Sequence, residues 1–380
     1  MRKSPITHPL KQPSLEQAIQ MQFKLVEILR KHFNGRELMV EGDYGHQYIG
    51  EVEGLPVYKH SAYTTKVEEV LGEFFGRKAI LVWGAGTGAN RMLFMAAVRP
   101  GDRVILDEIY ASTGATIRAM NLDVVQINYN NLDELRKAID EKTKMVHVIH
   151  GRGFKRFDPK KVIDTVRSTK YDPLISFDEN YVAMRVPKIG TQLGADLSAF
   201  SLQKLLGPEG IGVIISGTER GDKVIDRIHW LESAGGGSMV QGPDAMRALK
   251  NLVYTPVMWA IQRQVVDEVC ERLNKGEVDG VDWAVVAHLH MRVVIVKLEE
   301  PMARKVIDVA WKYGNMLHTI GCEGKDEITC RISPIPTSEK GTVPAGIPLD
   351  CLLRVIPFRA GPDTIIDILK KSIKEARRSK

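Results

Sequence analysis

Apolar positions along the first two thirds of the chain alternate between a helical period and short continuous runs. In residues 14–33 the apolar side chains fall on one helical face, and Ser14 and Gln17 form a capping box at the start. Gly35 follows as a stop, so the pattern predicts a helix over these residues. Short apolar strands that alternate with helices are typical of an open, mostly parallel sheet covered on both faces. From residue 65 the pattern predicts helices at 66–75, 84–98, 113–120 and 132–141, and strands at 79–83, 104–106, 124–127, 145–149, 174–177 and 211–215.

The last third of the chain has a different pattern, which indicates a smaller α+β domain. Strands are predicted at 285–298, 327–332 and 351–356, and helices at 302–313 and 363–378. The sequence therefore predicts an α/β protein with a mostly parallel sheet and a smaller C-terminal domain. The expected parts are an N-terminal helix with an irregular segment (1–60), a large domain (61–275) and a small domain (276–380).

Composition indicates an ordinary soluble protein, with 44% hydrophobic and 26% charged residues. No run approaches the ~20 apolar residues of a membrane span, and the basic N-terminus leads to no apolar run, so we expect a cytoplasmic protein without a signal peptide. The four cysteines are dispersed without CxxC spacing, which predicts free thiols and no metal site.

The basic C-terminus has two interpretations. Residues 370–380 contain six cations and one acid, within a formal net charge of +6 for the chain. Such a tail can contact nucleic acid, or it can be the solvated end of an amphipathic helix whose dipole favours cations there. We prefer the second interpretation to nucleic-acid binding.

A glycine-rich turn follows the first predicted strand and opens a helix. The turn reads Gly84-Ala85-Gly86-Thr87-Gly88, and glycines at a helix N-terminus let backbone N–H groups approach a phosphate. A plain strand-to-helix turn is the alternative. A dinucleotide site with Asp107 as the ribose acid is a further one, although the spacing is G-x-G-x-G and not G-x-G-x-x-G.

Two other segments carry candidate chemistry. Asp178 ends an apolar strand, where a carboxylate can keep a pyridine nitrogen protonated, and Tyr181 can hydrogen-bond the 3-oxygen of such a ring. Lys204 lies in an apolar run after Ser201, and a buried neutral amine can form an imine with an aldehyde. Taken singly, Asp178 is also compatible with a capping or metal-binding acid, and Lys204 with an exposed loop lysine.

In order, these segments resemble the fold-type I pyridoxal-phosphate-dependent enzymes over roughly residues 60–260. The glycine turn, the strand-end acid and the lysine 26 residues later follow the order of that superfamily, closest to its class V aminotransferase and Cys/Met-metabolism branch. The segments GAGTGA, DENYVAMRV, FSLQKLLGPEGIG and GGGS look more narrowly like the YhfS-type branch. The resemblance implies bound pyridoxal 5'-phosphate and a homodimer with shared active sites.

The resemblance also implies roles for individual residues. Lys204 would carry the cofactor as a Schiff base and move the substrate α-proton, and Asp178 would hold the ring nitrogen. Tyr110 would stack on the ring. Phosphate binding is assigned to Gly86, Thr87, Gly88, Ser201 and Ser238. Ser238 lies in a glycine loop that, in the family, often reaches a neighbouring subunit. Substrate binding is assigned to Arg354, with Arg359 as the alternative, and to Arg152.

Three functions are therefore open. The first is a pyridoxal-phosphate-dependent transferase or lyase acting on an amino acid or related amine. The second is an NAD(P)-dependent oxidoreductase that uses the glycine loop at 84–88, which leaves Asp178 and Lys204 without a role. The third is a non-catalytic regulator that kept the fold. Two departures from the family are Tyr58-Lys59-His60 in place of a Tyr-x-Arg phosphate contact, and Cys322 without the flanking motif of a cysteine desulfurase.

Overall fold

The computed structural model describes two compact units. Described residues are 10–39, 61–151, 157–234, 239–287, 292–316, 329–335 and 346–378. The large unit contains the described parts of 16–150 and 157–256, and the small unit contains mainly those of 257–380. The domain boundary predicted near residue 275 falls at the end of a long helix, Gly242–Asn274, and stays a prediction.

The large unit alternates helices and strands along the chain. Its helices are α1 (Leu15–His32), α2 (Ala62–Phe75), α3 (Ala85–Ala97), α4 (Ala111–Ala119), α5 (Leu132–Ala138), α6 (Pro159–Arg167), α7 (Gly190–Leu193), α8 (Glu219–Ala234) and the first part of α9 (Gly242–Asn274). Its strands are β1 (Ala79–Trp83), β2 (Arg103–Leu106), β3 (Asp123–Gln126), β4 (Thr143–Ile149), β5 (Leu174–Asp178), β6 (Leu197–Ser201) and β7 (Ile211–Ser216).

The strands of the large unit form one seven-stranded sheet in the order β1-β7-β6-β5-β4-β2-β3. Only β7 runs antiparallel to its neighbours, so the predicted mostly parallel sheet is confirmed. One apolar cluster joins the sheet to α3, α4 and α8, and another joins it to α5 and α6 on the opposite face. Because side chains alternate along a strand, neighbouring residues of β4 and β5 face different helices.

The small unit packs helices against an antiparallel sheet. Its four strands have the order β10-β11-β9-β8, where β8 is Val281–Ala287, β9 Val293–Leu298, β10 Arg331–Pro334 and β11 Leu352–Ile356. The sheet packs on the end of α9, on α10 (Ala303–Ala310) and on α11 (Pro362–Arg378) through a cluster of buried aliphatic residues. The predicted α+β C-terminal domain is thus confirmed.

Cations of the terminal helix α11 are engaged by nearby acids. Lys370 pairs with Glu277, Lys371 with Asp367, and Arg377 with Glu299. This pairing favours the interpretation of the tail as the solvated face of an amphipathic helix. No helix in the described ranges is long and apolar enough to cross a bilayer.

Candidate active site

The glycine turn between β1 and α3 exposes helix N–H groups. Gly84 and Ala85 have left-handed φ values of 93° and 53°, which turn the chain from the end of β1 into α3. Ala85 N–H donates to Gly210 O at 2.7 Å, and Gly88 N–H closes the first turn on Gly84 O, also at 2.7 Å. The N–H groups of Gly86 and Thr87 lie between them and have no acceptor within the helix, as an anion site requires.

Glycine is required at position 86 by a side chain of another segment. A Cβ atom on Gly86 would lie 2.0 Å from Oδ1 of Asn180, and one on Gly88 would lie 2.0 Å from the carbonyl oxygen of Trp83. The two glycines therefore allow the helix start to sit directly against the DENY segment and against β1. Gly86 is buried and Thr87 is exposed.

Asp178 is the last residue of β5, and its side chain is held from two directions. It is 4% exposed. Oδ1 accepts hydrogen bonds from the backbone N–H of Asn180 at 3.0 Å and from Nδ2 of Asn180 at 2.8 Å. Oδ2 accepts one from Nδ2 of Asn90, on α3, at 2.8 Å. Three donors thus orient the carboxylate that sequence analysis selected as the ring-nitrogen acid.

Asn180 joins the three segments that were predicted separately. Besides contacting Gly86 and holding Asp178, it accepts a hydrogen bond at Oδ1 from the backbone N–H of Ser201, at 2.9 Å. Ser201 is 2% exposed, and its Oγ accepts from the backbone N–H of Lys204 at 3.4 Å. Glycine turn, strand-end acid and lysine segment therefore form one continuous polar cluster in the large unit.

Lys204 sits in a single 3-10 turn, Gln203–Leu205, directly after β6. Its side chain is half-buried, and Nζ lies 4.4 Å from the centroid of the Tyr181 ring. A cation over an aromatic face is attracted by the ring quadrupole, which favours the position of this amine near Tyr181. Leu206 then takes a left-handed φ of 67° and leads the chain towards β7.

The acid that follows Asp178 faces the other side of the sheet. Glu179 is fully buried and accepts hydrogen bonds from Nδ1 of His150 at 2.7 Å and from the backbone N–H of Gly190 at 2.6 Å. Gly190 begins α7, so Glu179 ties that helix to the end of β4. Its two oxygens are thus used for structure, and the choice of Asp178 is consistent with this geometry.

A second buried histidine, His147, lies on the same face of the sheet as Asp178. Its Nδ1 is 2.9 Å from Oγ of Ser176, and its ring packs edge-on to Phe94 of α3. Burial lowers the pKa of His147 to about 4, and the nearby Asp178 carboxylate offsets this only in part. The imidazole is therefore neutral at physiological pH.

The other predicted site residues are distributed over both units. Tyr110 is half-buried and lies immediately before α4. Arg354 lies on β11 of the small unit opposite Ser333 of β10, and Arg359 follows that strand. Ser238 and Arg152 lie outside the described residues, as do Tyr58, Lys59, His60, Gly236, Gly237 and Cys322.

Sequence reasoning did not identify Asn90, Asn180 or His147. Asn180 stands inside the DENY motif between two residues that were selected. Asn90 carries a weaker signal, since it is a polar residue four positions after Gly86 on the apolar face of α3. His147 lies within an apolar strand, where a lone histidine has no distinguishing pattern.

Known proteins with the same sequence pattern cover nearly the whole chain. The aminotransferase class-V family matches residues 64–251, and the YhfS-like C-terminal domain matches residues 267–369. The uncharacterized protein YhfS of Escherichia coli is 34% identical over 97% of this chain and 99% of its own length. The chain belongs to the YhfS family. The predicted resemblance to that branch of the fold-type I pyridoxal-phosphate-dependent enzymes is confirmed.

Solved structures agree with this assignment. The pyridoxal-5'-phosphate-dependent protein YhfS from E. coli superposes with a TM-score of 0.86 at 32% identity, over 98% of this chain and 100% of that one. A putative O-acetylhomoserine (thiol)-lyase from Campylobacter jejuni matches with a TM-score of 0.62 at 17% identity, over 81% of this chain and 86% of that one. Cystathionine gamma-lyase from Lactobacillus plantarum matches with a TM-score of 0.61 at 15% identity, over 83% of this chain and 87% of that one.

The last two likenesses establish the fold alone, whereas the family establishes the enzyme class. Pyridoxal phosphate is the cofactor of this family, and residues 64–251 match the class-V aminotransferases, which are transferases. The nicotinamide alternative is not supported, because it assigned no role to Asp178 and Lys204, which share one cluster with the glycine turn.

Proposed function

We propose that this protein binds pyridoxal 5'-phosphate through Lys204 and acts on an amino acid or a related amine as a transferase or lyase. The observation that carries the proposal is the single cluster centred on Asn180, which joins an anion-binding helix start, a strand-end carboxylate and a half-buried lysine. The fold family alone would be compatible with a chain that had lost one of these parts.

The residues present fit the cofactor at each of its functional groups. The N–H groups of Gly86 and Thr87 suit a phosphate dianion at the start of α3. Asp178 presents an oriented carboxylate, which suits a protonated pyridine nitrogen. Lys204 presents a primary amine, which suits an aldehyde carbon. Each of the three groups therefore meets a partner of the right chemistry within one unit.

When bound, the cofactor supplies an electron sink that weakens the bonds at the substrate α-carbon. Within that chemistry, Lys204 would hold the cofactor, and its Nζ would accept or return the proton at the substrate α-carbon. Asp178 would keep the ring nitrogen protonated, since its oxygens are already oriented by Asn90 and Asn180. Tyr110 would lie against the ring and Tyr181 would donate to its 3-oxygen, while Ser201, Gly88 and Ser238 would hold the phosphate.

Substrate recognition is assigned to arginines. Arg354 on β11 supplies a planar guanidinium that can grip a carboxylate in a bidentate manner. Arg359 and Arg152 are the further candidates. We also propose a cytoplasmic location, which the dispersed cysteines support, and a homodimer with shared active sites, which the resemblance implies.

Two of the three described cysteines, Cys270 and Cys330, do not favour a nucleophilic thiol in the reaction. Burial raises the pKa of Cys270 to about 11 and that of Cys330 to about 12. A thiol must ionise to act as a nucleophile, so these two are structural. A transfer of sulfur through a protein thiol would have to use another residue, such as Cys322.

The decisive test is the visible spectrum of the purified protein, followed by borohydride reduction and peptide mass mapping. We expect a yellow protein whose reduced cofactor adduct lies on Lys204, and a Lys204→Ala variant with no adduct. Lys170→Ala, which removes an exposed lysine, is the matched control and should label like wild type. A protein that stays unlabelled after incubation with added pyridoxal phosphate would overturn the proposal. Amino acids that shift the spectrum would then identify the substrate class.

A further inference from the structure

Asn90 occupies an unusual position for an amide side chain. It lies on α3, four residues and hence about one turn after Gly86, so the two residues lie on the same side of the helix. The side chain is 3% exposed, on a helix that contributes Leu93 and Phe94 to the apolar cluster against the sheet. Its Nδ2 donates to Oδ2 of Asp178 at 2.8 Å.

The amide of Asn90 retains an acceptor that is not satisfied. Its Oδ1 is buried and has no hydrogen-bond partner among the described residues. A buried acceptor without a partner is unfavourable for folding, and an apolar side chain of similar shape would avoid that cost. Reversing the amide would not help, because it would set Oδ1 against the carboxylate oxygen of Asp178. The amide therefore directs its donor to Asp178 and leaves its own acceptor unsatisfied.

Hydrogen-bond geometry shows what Asn90 adds to Asp178. An ionised carboxylate has about four acceptor sites, two on each oxygen. Asn180 fills both sites on Oδ1, and Asn90 fills one on Oδ2. One site on Oδ2 is left for a further donor. Without Asn90 only Oδ1 would be held, and the plane of the carboxylate would be free to rotate.

We infer that Asn90 is a positioning residue that fixes Oδ2 of Asp178 for the ring nitrogen of pyridoxal phosphate. The inference rests on the proposed function, in which Asp178 meets that nitrogen. Because Asn90 and Gly86 belong to one helix, α3 sets both the phosphate-binding N–H groups and the carboxylate plane. Gly86 and Asn90 serve opposite ends of the cofactor, and α3 sets the spacing between them at four residues, about 6 Å of rise.

The test measures cofactor affinity and the stability of the cofactor-free protein separately. Asn90→Leu keeps the approximate shape and removes the donor. We expect its dissociation constant for pyridoxal phosphate to rise about 10- to 100-fold, the range for one hydrogen bond to a charged group. The melting temperature of the cofactor-free variant should equal or lie somewhat below that of wild type, because the gain from removing the unsatisfied acceptor is offset by the loss of the hydrogen bond to the buried Asp178 carboxylate. Asn90→Ala serves as the second variant if the leucine does not fit.

A double-mutant cycle distinguishes the inference from its foundation. If Asn90 acts through Asp178, then Asn90→Leu with Asp178→Asn should bind the cofactor no more weakly than Asp178→Asn alone. Additive losses, or an Asn90→Leu protein with wild-type affinity beside a weakened Asp178→Asn protein, would overturn the inference and leave the proposed function standing. Unchanged affinity in Asp178→Asn would instead overturn the role of Asp178 itself.

Discussion

Two neighbouring acids at the end of β5 are buried to a similar extent and serve opposite faces of the sheet. Asp178 turns towards α3 and is held by two asparagine side chains and one backbone N–H. Glu179 turns to the other face, where His150 and the start of α7 occupy both of its oxygens. Among the described residues, Asp178 is held by donors that leave one site on Oδ2 facing the candidate cofactor site, whereas both oxygens of Glu179 hold parts of the fold together.

The difference shows how one sequence motif can combine chemistry and structure. Since side chains alternate along a strand, adjacent acids at a strand end are directed to separate environments. Each acid also has a histidine on its own face, but only His150 contacts its acid directly, while His147 bonds Ser176. Substitution of Glu179 should therefore affect folding, and substitution of Asp178 should affect cofactor binding.

The largest effect on stability is expected for Glu179→Ala. The substitution leaves the buried His150 Nδ1 and the backbone N–H of Gly190 without their acceptor. Each unsatisfied group costs about 1–3 kcal/mol, so the free energy of unfolding should fall by about 2–6 kcal/mol. Urea denaturation of the cofactor-free protein measures it. Glu141→Ala, at an exposed position, is the control and should change little.

The folded fraction of the Glu179→Ala protein should still bind pyridoxal phosphate with nearly wild-type affinity. A variant that keeps its stability but loses the cofactor would reverse the roles assigned to the two faces. Glu179→Gln retains the side-chain shape and one acceptor oxygen, so it should give a smaller loss of stability in the same direction.

A pH-dependent loss of stability is expected from the Asp178 face. The pKa of His147 is lowered by burial from 6.5 to about 4. Below pH 6.5 the unfolded chain binds a proton that the folded protein excludes, so this contribution is complete above pH 6.5 and is lost as the pH falls towards 4. The difference corresponds to a loss on the order of 3 kcal/mol.

Urea titrations of wild type and His147→Asn between pH 7 and pH 4 check this expectation. Carboxylates elsewhere titrate in both proteins, so the informative quantity is the difference between the two pH slopes. Wild type should lose more stability on acidification than the variant. Equal slopes would mean that the pKa of His147 is the same in the folded and unfolded protein, contrary to its buried environment beside Phe94.

Much of the fold was predictable because its strands are short apolar runs with clear ends. The predicted strand 79–83 coincides with β1, and 145–149 lies within β4. β6 escaped prediction since its sequence, LSAFS, contains serines that are fully or almost fully buried, so it lacks an apolar signature. The helix α9 contains Pro256, which obscures a continuous helical pattern.

The candidate site was predictable where a residue type has a distinctive chemistry. A lysine in an apolar run, an acid at a strand end and a glycine turn each stand out singly. Asn90 and Asn180 do not, because an amide is compatible with many positions and its value here comes from a three-dimensional contact with Asp178. Long-range pairing of this kind is set by strand order, which the local pattern does not contain.

The smallest of these effects is expected for Gly86→Ala on the Asp178 face. The new Cβ would lie 2.0 Å from Oδ1 of Asn180, so that side chain must move and its hydrogen bonds to Asp178 and Ser201 must lengthen. Overpacking of this kind costs about 1–3 kcal/mol, measurable by urea denaturation. Gly35→Ala is the matched control, because no atom lies within 4 Å of its Cβ position. A Gly86→Ala protein with wild-type stability and cofactor affinity would show that the Asn180 side chain can move without disturbing Asp178. The contrast between Asp178 and Glu179 would then depend on Asn90 alone.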